Sequence, residues 1–271
     1  MCAILSVVLT YTENYAMSST SENRREEIVE LVQANGKVKV SELSERYNVS
    51  EVSIRKDLEA LEAQGHLSRI HGGAVGMNKL YVNMDLTERY KTNSAAKKAV
   101  ADLAARFIED NDTIMMNAGT TVTYVLRALR GKKNISIVTN SIQNATEAAL
   151  YPSFNVILLG GEIDSKYQFT YGQDAIRQLL NYHATKCILS VDGITSESGL
   201  TLYYSNEAEL ARKMIECSDM LIIAADSSKL GKNVFARITD ADKADVLVTN
   251  KTENHREIAK LRDLGLDIYE A

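Results

Sequence analysis

From residue 94 to the carboxyl terminus, short continuous apolar runs alternate with amphipathic segments of helical period, and this alternation restricts the fold more than any other feature of the chain. The runs fall at 113–116, 135–139, 155–159, 186–191, 220–225 and 245–249, with MLIIAA at 220–225 typical of them. Runs lacking polar alternation predict strands covered on both faces, as in a parallel sheet. Helical patterns lie between most of them, among them 95–108, 122–130 and 206–217. Strands joined by helices of that length predict an α/β domain with helices on both faces of the sheet.

The chain before residue 77 has a different character. From Glu22 a helical pattern places Ile28, Leu31 and Val32 on one face, with Arg24 and Arg25 in its opening turn and Gly36 at its end. Ser41 stands at the start of a second short helix whose Leu43 and Tyr47 face inward, and Ser50 starts a third after a turn at Asn48. Residues 67–75 alternate and close on Gly72 and Gly73, which predicts a two-stranded hairpin. Three short helices and a hairpin predict a winged helix-turn-helix, whose third helix enters the major groove of DNA.

On that third helix Ile54, Leu58 and Leu61 form an apolar stripe, while Val52, Ser53 and Lys56 lie opposite with Arg55 at the flank. Ser53 suits a base edge, Val52 a thymine methyl, and Arg55 and Lys56 phosphates or guanine. Ser50 at the helix start and Arg69 and His71 in the wing complete the expected contact set. The competing readings are a solvated helix face and a winged-helix module that binds protein only. A net charge of −5 discourages nonspecific nucleic-acid binding by the whole molecule, so this local stripe would have to carry it.

A length of 271 residues suits a domain of about 60 residues beside one of about 180. The boundaries read as 1–21 an extension, 22–76 the winged domain, 77–93 a polar linker, and 94–271 the α/β domain. The extension carries an apolar stretch at 3–9 without the preceding Lys or Arg of a signal peptide, so a disordered extension or start-site artefact is expected, with Met17 as the start. No run approaches the roughly 18 apolar residues of a membrane span. Cys2, Cys187 and Cys217 lack CxxC spacing, and His66, His71, His183 and His255 fall on different elements, so a cytoplasmic protein without metal or cofactor is expected.

Ligands of open α/β sheets bind beyond the carboxyl ends of the strands. After the first predicted strand comes NAGTTVT, 117–123, where Gly119 allows close backbone approach and Thr120, Thr121 and the helix amides can donate to an anion. TNS at 139–141 follows the second strand and GGE at 160–162 the third. DGITSESGLT at 192–201 and DSSKLGK at 226–232 come later. Singly these read equally well as helix caps, a tight turn at Gly160 and Gly161, and a solvated Lys229. Their recurrence after successive strands points to one crevice for a small anionic ligand.

The stretch VSEVSIRKDLEALEAQGHLSRIHGGA resembles the amino-terminal signature of the DeoR family of bacterial transcription regulators, with Ser53 where Thr is usual and Lys56 where Arg is usual. The resemblance runs from about residue 22 through nearly the whole chain. It implies a carboxyl-terminal domain similar to ribose-5-phosphate isomerase and glucosamine-6-phosphate deaminase, one that senses phosphorylated sugars. By this similarity Gly119, Thr120 and Thr121 hold the phosphate, with Asn140, Ser141, Gly161 and Lys229 nearby and Asp192 and Glu207 toward sugar hydroxyls. Asn117 stands where the family often has Asp, which bears on the sugar preferred. The isomerases carry a DGADE-like loop followed by a lysine. Here Ile194, Thr195 and Ser196 replace the acid cluster and no lysine follows before Lys213, so no enzymatic activity is expected. The implied protein is a repressor of a carbohydrate-utilisation operon, released from double-stranded operator DNA by a phosphorylated sugar and acting as a homodimer or homotetramer. A sugar-phosphate isomerase or deaminase relative with an accessory helical domain is the rival.

Overall fold

The computed structural model describes residues 21, 23–32, 37–63, 67–70, 72–76 and 84–271. The chain divides into two compact units, one ending at Met84 and the other running from Asp85 to Ala271.

In the amino-terminal unit residues 23–32 form helix α1, followed by β1 (Lys37–Lys39), α2 (Val40–Tyr47), α3 (Glu51–Ala63), β2 (Leu67–Ile70) and β3 (Gly73–Gly76). Ile28 and Val32 of α1, Leu43 of α2, and Ile54, Leu58 and Leu61 of α3 close one core with Val38, Val40, Leu67 and Ala74. The α2–α3 turn is set by Asn48, left-handed at φ 50, and by the Ser44 hydroxyl, which donates to the Val49 carbonyl at 2.6 Å. Ser50 caps α3, its Oγ accepting from the Ser53 amide at 3.2 Å. The expected two-stranded hairpin is a three-stranded antiparallel sheet in the order β1-β3-β2. A Cβ on Gly73 would lie 2.1 Å from the Val38 carbonyl oxygen, so β1 packs against the wing only because that position is glycine. His66, His71, the linker residues 77–83 and residues 1–20 lie outside the described residues.

The second unit begins with α4 (Leu86–Lys91) and α5 (Ser94–Ala104). It continues through β4 (Thr113–Met116), α6 (Thr120–Ala128), β5 (Ser136–Thr139), α7 (Ile142–Ala148), β6 (Asn155–Leu158), the hairpin β7 (Glu162–Asp164) and β8 (Phe169–Tyr171), α8 (Gln173–Leu179) and β9 (Lys186–Leu189). The last third holds β10 (Gly193–Thr195), β11 (Gly199–Leu202), α9 (Ser205–Glu216), β12 (Leu221–Ala224), β13 (Ala236–Thr239), β14 (Val246–Thr249), α10 (His255–Asp263) and β15 (Asp267–Glu270). Seven strands form a wholly parallel sheet in the order β15-β14-β12-β9-β4-β5-β6. Its two faces carry separate cores, one around Leu189, Ile223 and Leu247, the other around Ile114, Leu126 and Ile222.

Six of these strands fall where the apolar runs lie. β15 at the edge and the small antiparallel sheet β10-β11-β13 were not anticipated. The linker reading of 77–93 also needs correction, because α4 occupies its second half and belongs to the larger unit. The physical reason is a capping box: the Asp85 side chain accepts from the Glu88 amide at 2.8 Å, and the Glu88 carboxylate accepts from the Asp85 amide at 3.3 Å. From β4 the chain runs outward to β5 and β6, then returns to β9 on the other side of β4. That reversal opens a crevice beyond the carboxyl ends of β4 and β9.

Candidate functional site

On α3, Val52 is 60% exposed, Arg55 and Lys56 are exposed, and Ser53 is half-buried beside the capping Ser50. These residues share one outward face. Arg55 pairs with Glu51 one turn earlier at 2.5 Å, a solvent-facing contact that another partner can replace at small cost. Arg69 is engaged differently: its guanidinium and its backbone amide both donate to the Glu62 carboxylate, each at 2.7 Å, fastening β2 to α3. Asp57, 2% exposed, receives Arg24 Nε at 2.7 Å and Arg25 Nε at 2.8 Å, which locks α1 across α3. The sequence reading missed Asp57. Its signal was an acid at i+3 from Ile54 and i−4 from Leu61, inside the apolar stripe.

In the larger unit the crevice is built from loops whose polar groups are mostly spoken for. Asn117, 1% exposed, donates from Nδ2 to the Ser190 carbonyl at 2.9 Å and accepts at Oδ1 from the Ser190 amide at 3.0 Å. The side chain thereby adds a rung between β4 and β9 past their ends. The same Nδ2 lies 3.5 Å from Glu207 Oε1. A Cβ on Gly119 would fall 1.6 Å from Ser190 Oγ, so glycine is required for the loop to close on the neighbouring strand. Thr120 and Thr121 open α6, whose first turn has no side-chain cap. Ser141 caps α7 by accepting from the Asn144 amide at 3.1 Å, and Asn144 in turn donates to the Asn117 carbonyl at 3.2 Å. Asn140 donates to the Thr170 carbonyl at 3.0 Å, while its buried Oδ1 has no hydrogen-bond partner among the described residues.

Charge gathers on the β9 and β12 side. Lys229 Nζ is 3.7 Å from Asp192 Oδ1, both groups buried. Asp226, 1% exposed, accepts from Asn93 Nδ2 at 3.1 Å. Lys97, 1% exposed, projects from α5 into the same charge field. Burial lowers Lys97 to about 8, with Lys229 and Arg89 adding to the fall and Asp226 and Asp192 opposing it. Lys232 is also lowered to about 8, by burial and then by Lys229. Asn93, Lys97 and Lys232 escaped the sequence reading. The structure thus brings Asn117, Gly119, Ser141, Asp192, Glu207 and Lys229 to the strand ends at the switch point. Gly161 packs instead against the Tyr171 carbonyl at the base of the β7–β8 hairpin, where a Cβ would approach to 2.4 Å.

Burial raises Glu207 to about 8, with Asp192 reinforcing the shift. The folded form therefore keeps a proton that the unfolded chain loses above its ordinary value of 4.5. A raised acid of this kind costs stability as pH rises from about 4.5 to about 8, on the order of 4 kcal/mol in all. The depressed Asp226 acts below that window and the depressed lysines above it. Denaturant titrations between pH 5 and 8 are expected to show this loss for the larger unit, and Glu207→Gln is expected to remove it. An equal slope in the variant would assign the loss to other groups.

Two family models match the chain: a DeoR-like helix-turn-helix domain over residues 24–79 and a DeoR C terminal sensor domain over residues 92–251. An uncharacterized HTH-type transcriptional regulator of Bacillus subtilis strain 168, YulB, is 35% identical over 89% of this chain and 93% of its own. The glycerol-3-phosphate regulon repressor of Escherichia coli K12 is 31% identical over 84% of this chain. Among solved structures, ribose 5 phosphate isomerase A from Neisseria gonorrhoeae matches 51% of this chain and 53% of its own at 19% identity and a TM-score of 0.39. Among the described residues, no helix is long and apolar enough to cross a membrane.

Proposed function

The chain belongs to the DeoR family of helix-turn-helix transcriptional regulators, and from that premise we propose that it is a cytoplasmic repressor of a carbohydrate-utilisation operon whose effector is a phosphorylated sugar. The observation that carries the ligand half of this reading is the crevice at the β4/β9 switch point. It combines the uncapped start of α6 with buried lysines that the acids Asp192 and Asp226 do not outnumber. An anionic group answers both features. The neutral Glu207 offers a donor and an acceptor for hydroxyls at the other side of the crevice, where the Asn117 amide holds the strand ends together. Gly161 is assigned to the hairpin base rather than to this ligand set.

For the DNA half, the support is the outward face of α3. Val52 and Ser53 meet base edges there, and Arg55 and Lys56 meet phosphates or guanine. A single short helix reads few base pairs, so a homodimer or homotetramer on paired half-sites fits the function. Effector and operator binding must then oppose each other by the same coupling free energy, typically about 1–3 kcal/mol. Turnover is not part of the reading: Ile194, in the place of the isomerase acid cluster, is fully buried in β10 and faces the core.

Replacing Arg55 by Ala is expected to weaken operator binding by about 1–3 kcal/mol while effector affinity stays unchanged. Thr120→Glu is expected to leave operator binding intact and abolish release by the effector. An Arg55→Ala protein with wild-type gel-shift affinity would remove that residue from the interface, and a fully inducible Thr120→Glu protein would move the anion site elsewhere.

A further inference from the structure

Lys97 poses a problem that the fold alone leaves open. It is 1% exposed, yet among the described residues its ammonium has one hydrogen-bond acceptor, the Arg89 carbonyl, and no carboxylate within 4.0 Å. An ammonium carries three donors, and a buried cation so sparsely partnered is costly. Asp226 and Asp192 attract it from beyond contact, whereas Lys229 and Arg89 repel it. Lys97 is therefore short of acceptors, and it feels the repulsion of Lys229, which Lys232 feels in turn.

The acceptor that Lys97 uses at present belongs to a sensitive element. Arg89 lies in the last turn of α4, where carbonyls lack intrahelical partners and a cation complements the helix dipole. α4 has six residues, too few to persist without external contacts. Its contacts include the Asp85–Glu88 capping box, the Thr92 hydroxyl on the Glu88 carbonyl at 2.9 Å, the Tyr124 hydroxyl on the Tyr90 carbonyl at 3.2 Å, the Tyr90 hydroxyl against Thr123 Oγ1 at 3.0 Å, and Lys97 on the carbonyl of its last turn. The Arg89 guanidinium also stacks over the Tyr167 ring at 4.2 Å. The chain arriving from the amino-terminal unit enters the larger unit at this helix.

We propose that Lys97 passes from the Arg89 carbonyl to the anionic group of the effector, so that effector binding uncaps the end of α4. Lys97 is then both an anion-binding residue, acting with Lys229 and Lys232, and the point where occupancy is handed to the segment joining the two units. This inference rests on the anion site argued above and adds a residue and a direction of response to it.

The test is hydrogen exchange and calorimetry on the full chain, with inorganic phosphate as the probe and phosphorylated sugars as a second arm. Wild type is expected to bind phosphate, with slower exchange at 119–123 and faster exchange at 89–92. Lys97→Met is expected to bind phosphate at least tenfold more weakly and to show fast exchange at 89–92 without it. The exposed neighbour serves as control: Lys98→Met should match wild type. Phosphate binding by Lys97→Met within twofold of wild type, or unchanged α4 exchange in wild type with phosphate bound, overturns the inference and leaves the anion site standing. Should Lys97→Met not fold, the wild-type exchange result decides by itself. A wild type that binds neither phosphate nor any phosphorylated sugar overturns the anion site together with this inference.

Discussion

Asp57→Asn is expected to abolish DNA binding while leaving the effector unit intact. The carboxylate is 3% exposed and each oxygen accepts from a different guanidinium, Arg24 and Arg25, both on α1. An amide keeps the shape but leaves one guanidinium facing an N–H, and the negative charge that held both cations is gone. Removing one partner of a buried pair costs about 3–5 kcal/mol. Partial exposure of the two arginines, 16% and 33%, argues for the lower end. A unit of this size has a total stability on the order of 3–8 kcal/mol, so the loss takes much of it. The first unfolding transition should fall sharply and operator affinity should vanish, with effector binding by calorimetry unchanged. A variant that still repressed would show that α1 and α3 are held by the apolar core alone.

The second large effect is expected at Asn117. Only an amide can donate to the Ser190 carbonyl and accept from the Ser190 amide at once. In Asn117→Asp a lone pair faces that carbonyl, and the new carboxyl stands beside Glu207 in a site 1% exposed. The Glu207 proton can serve one of these contacts and not the other. The cost is about 3 kcal/mol, arising from a buried acceptor without a donor and a charge without a counter-charge. Its pH dependence has a definite sign: an acid raised by burial is neutral in both states at low pH, so the loss grows as pH rises above about 4. Thermal melts at pH 4 and 7.5 check this. A loss equal at both values would mean that the charge is compensated and that geometry alone is at fault. Because its amide joins the ends of β4 and β9, Asn117 is part of the scaffold of the crevice.

The parallel sheet was legible because strands buried on both faces must be apolar along their whole length, as at 220–225. The three-residue strands β7, β8 and β10 were not, since three residues show no period. Helix α4 was legible in principle: Asp85 and Glu88 have the spacing of a capping box, but the polar surroundings read as linker. The site divides along similar lines. Gly119, Ser141, Asp192 and Lys229 lie in the loops that follow strands, where position alone names them as candidates. Lys97 and Asp57 lie within helices, where a periodic reading counts a charged residue as solvent-facing. Both in fact sit inside an apolar stripe, Lys97 with Val100, Ala101 and Ala104, and Asp57 with Ile54, Leu58 and Leu61. A charge in such a stripe signals a buried partner, whose identity depends on elements far away in sequence.

Coupling of an anion site to a DNA-binding face within one chain is measured directly by fluorescence anisotropy. The purified protein is titrated onto DNA from its own promoter region at fixed salt, because phosphate contacts make affinity salt-dependent, with and without a panel of phosphorylated sugars. The account predicts binding stronger than to random DNA, weakened by about tenfold or more by one phosphorylated sugar and unaffected by its unphosphorylated form. Equal affinity for random and promoter DNA, unmoved by every phosphorylated sugar, would contradict it.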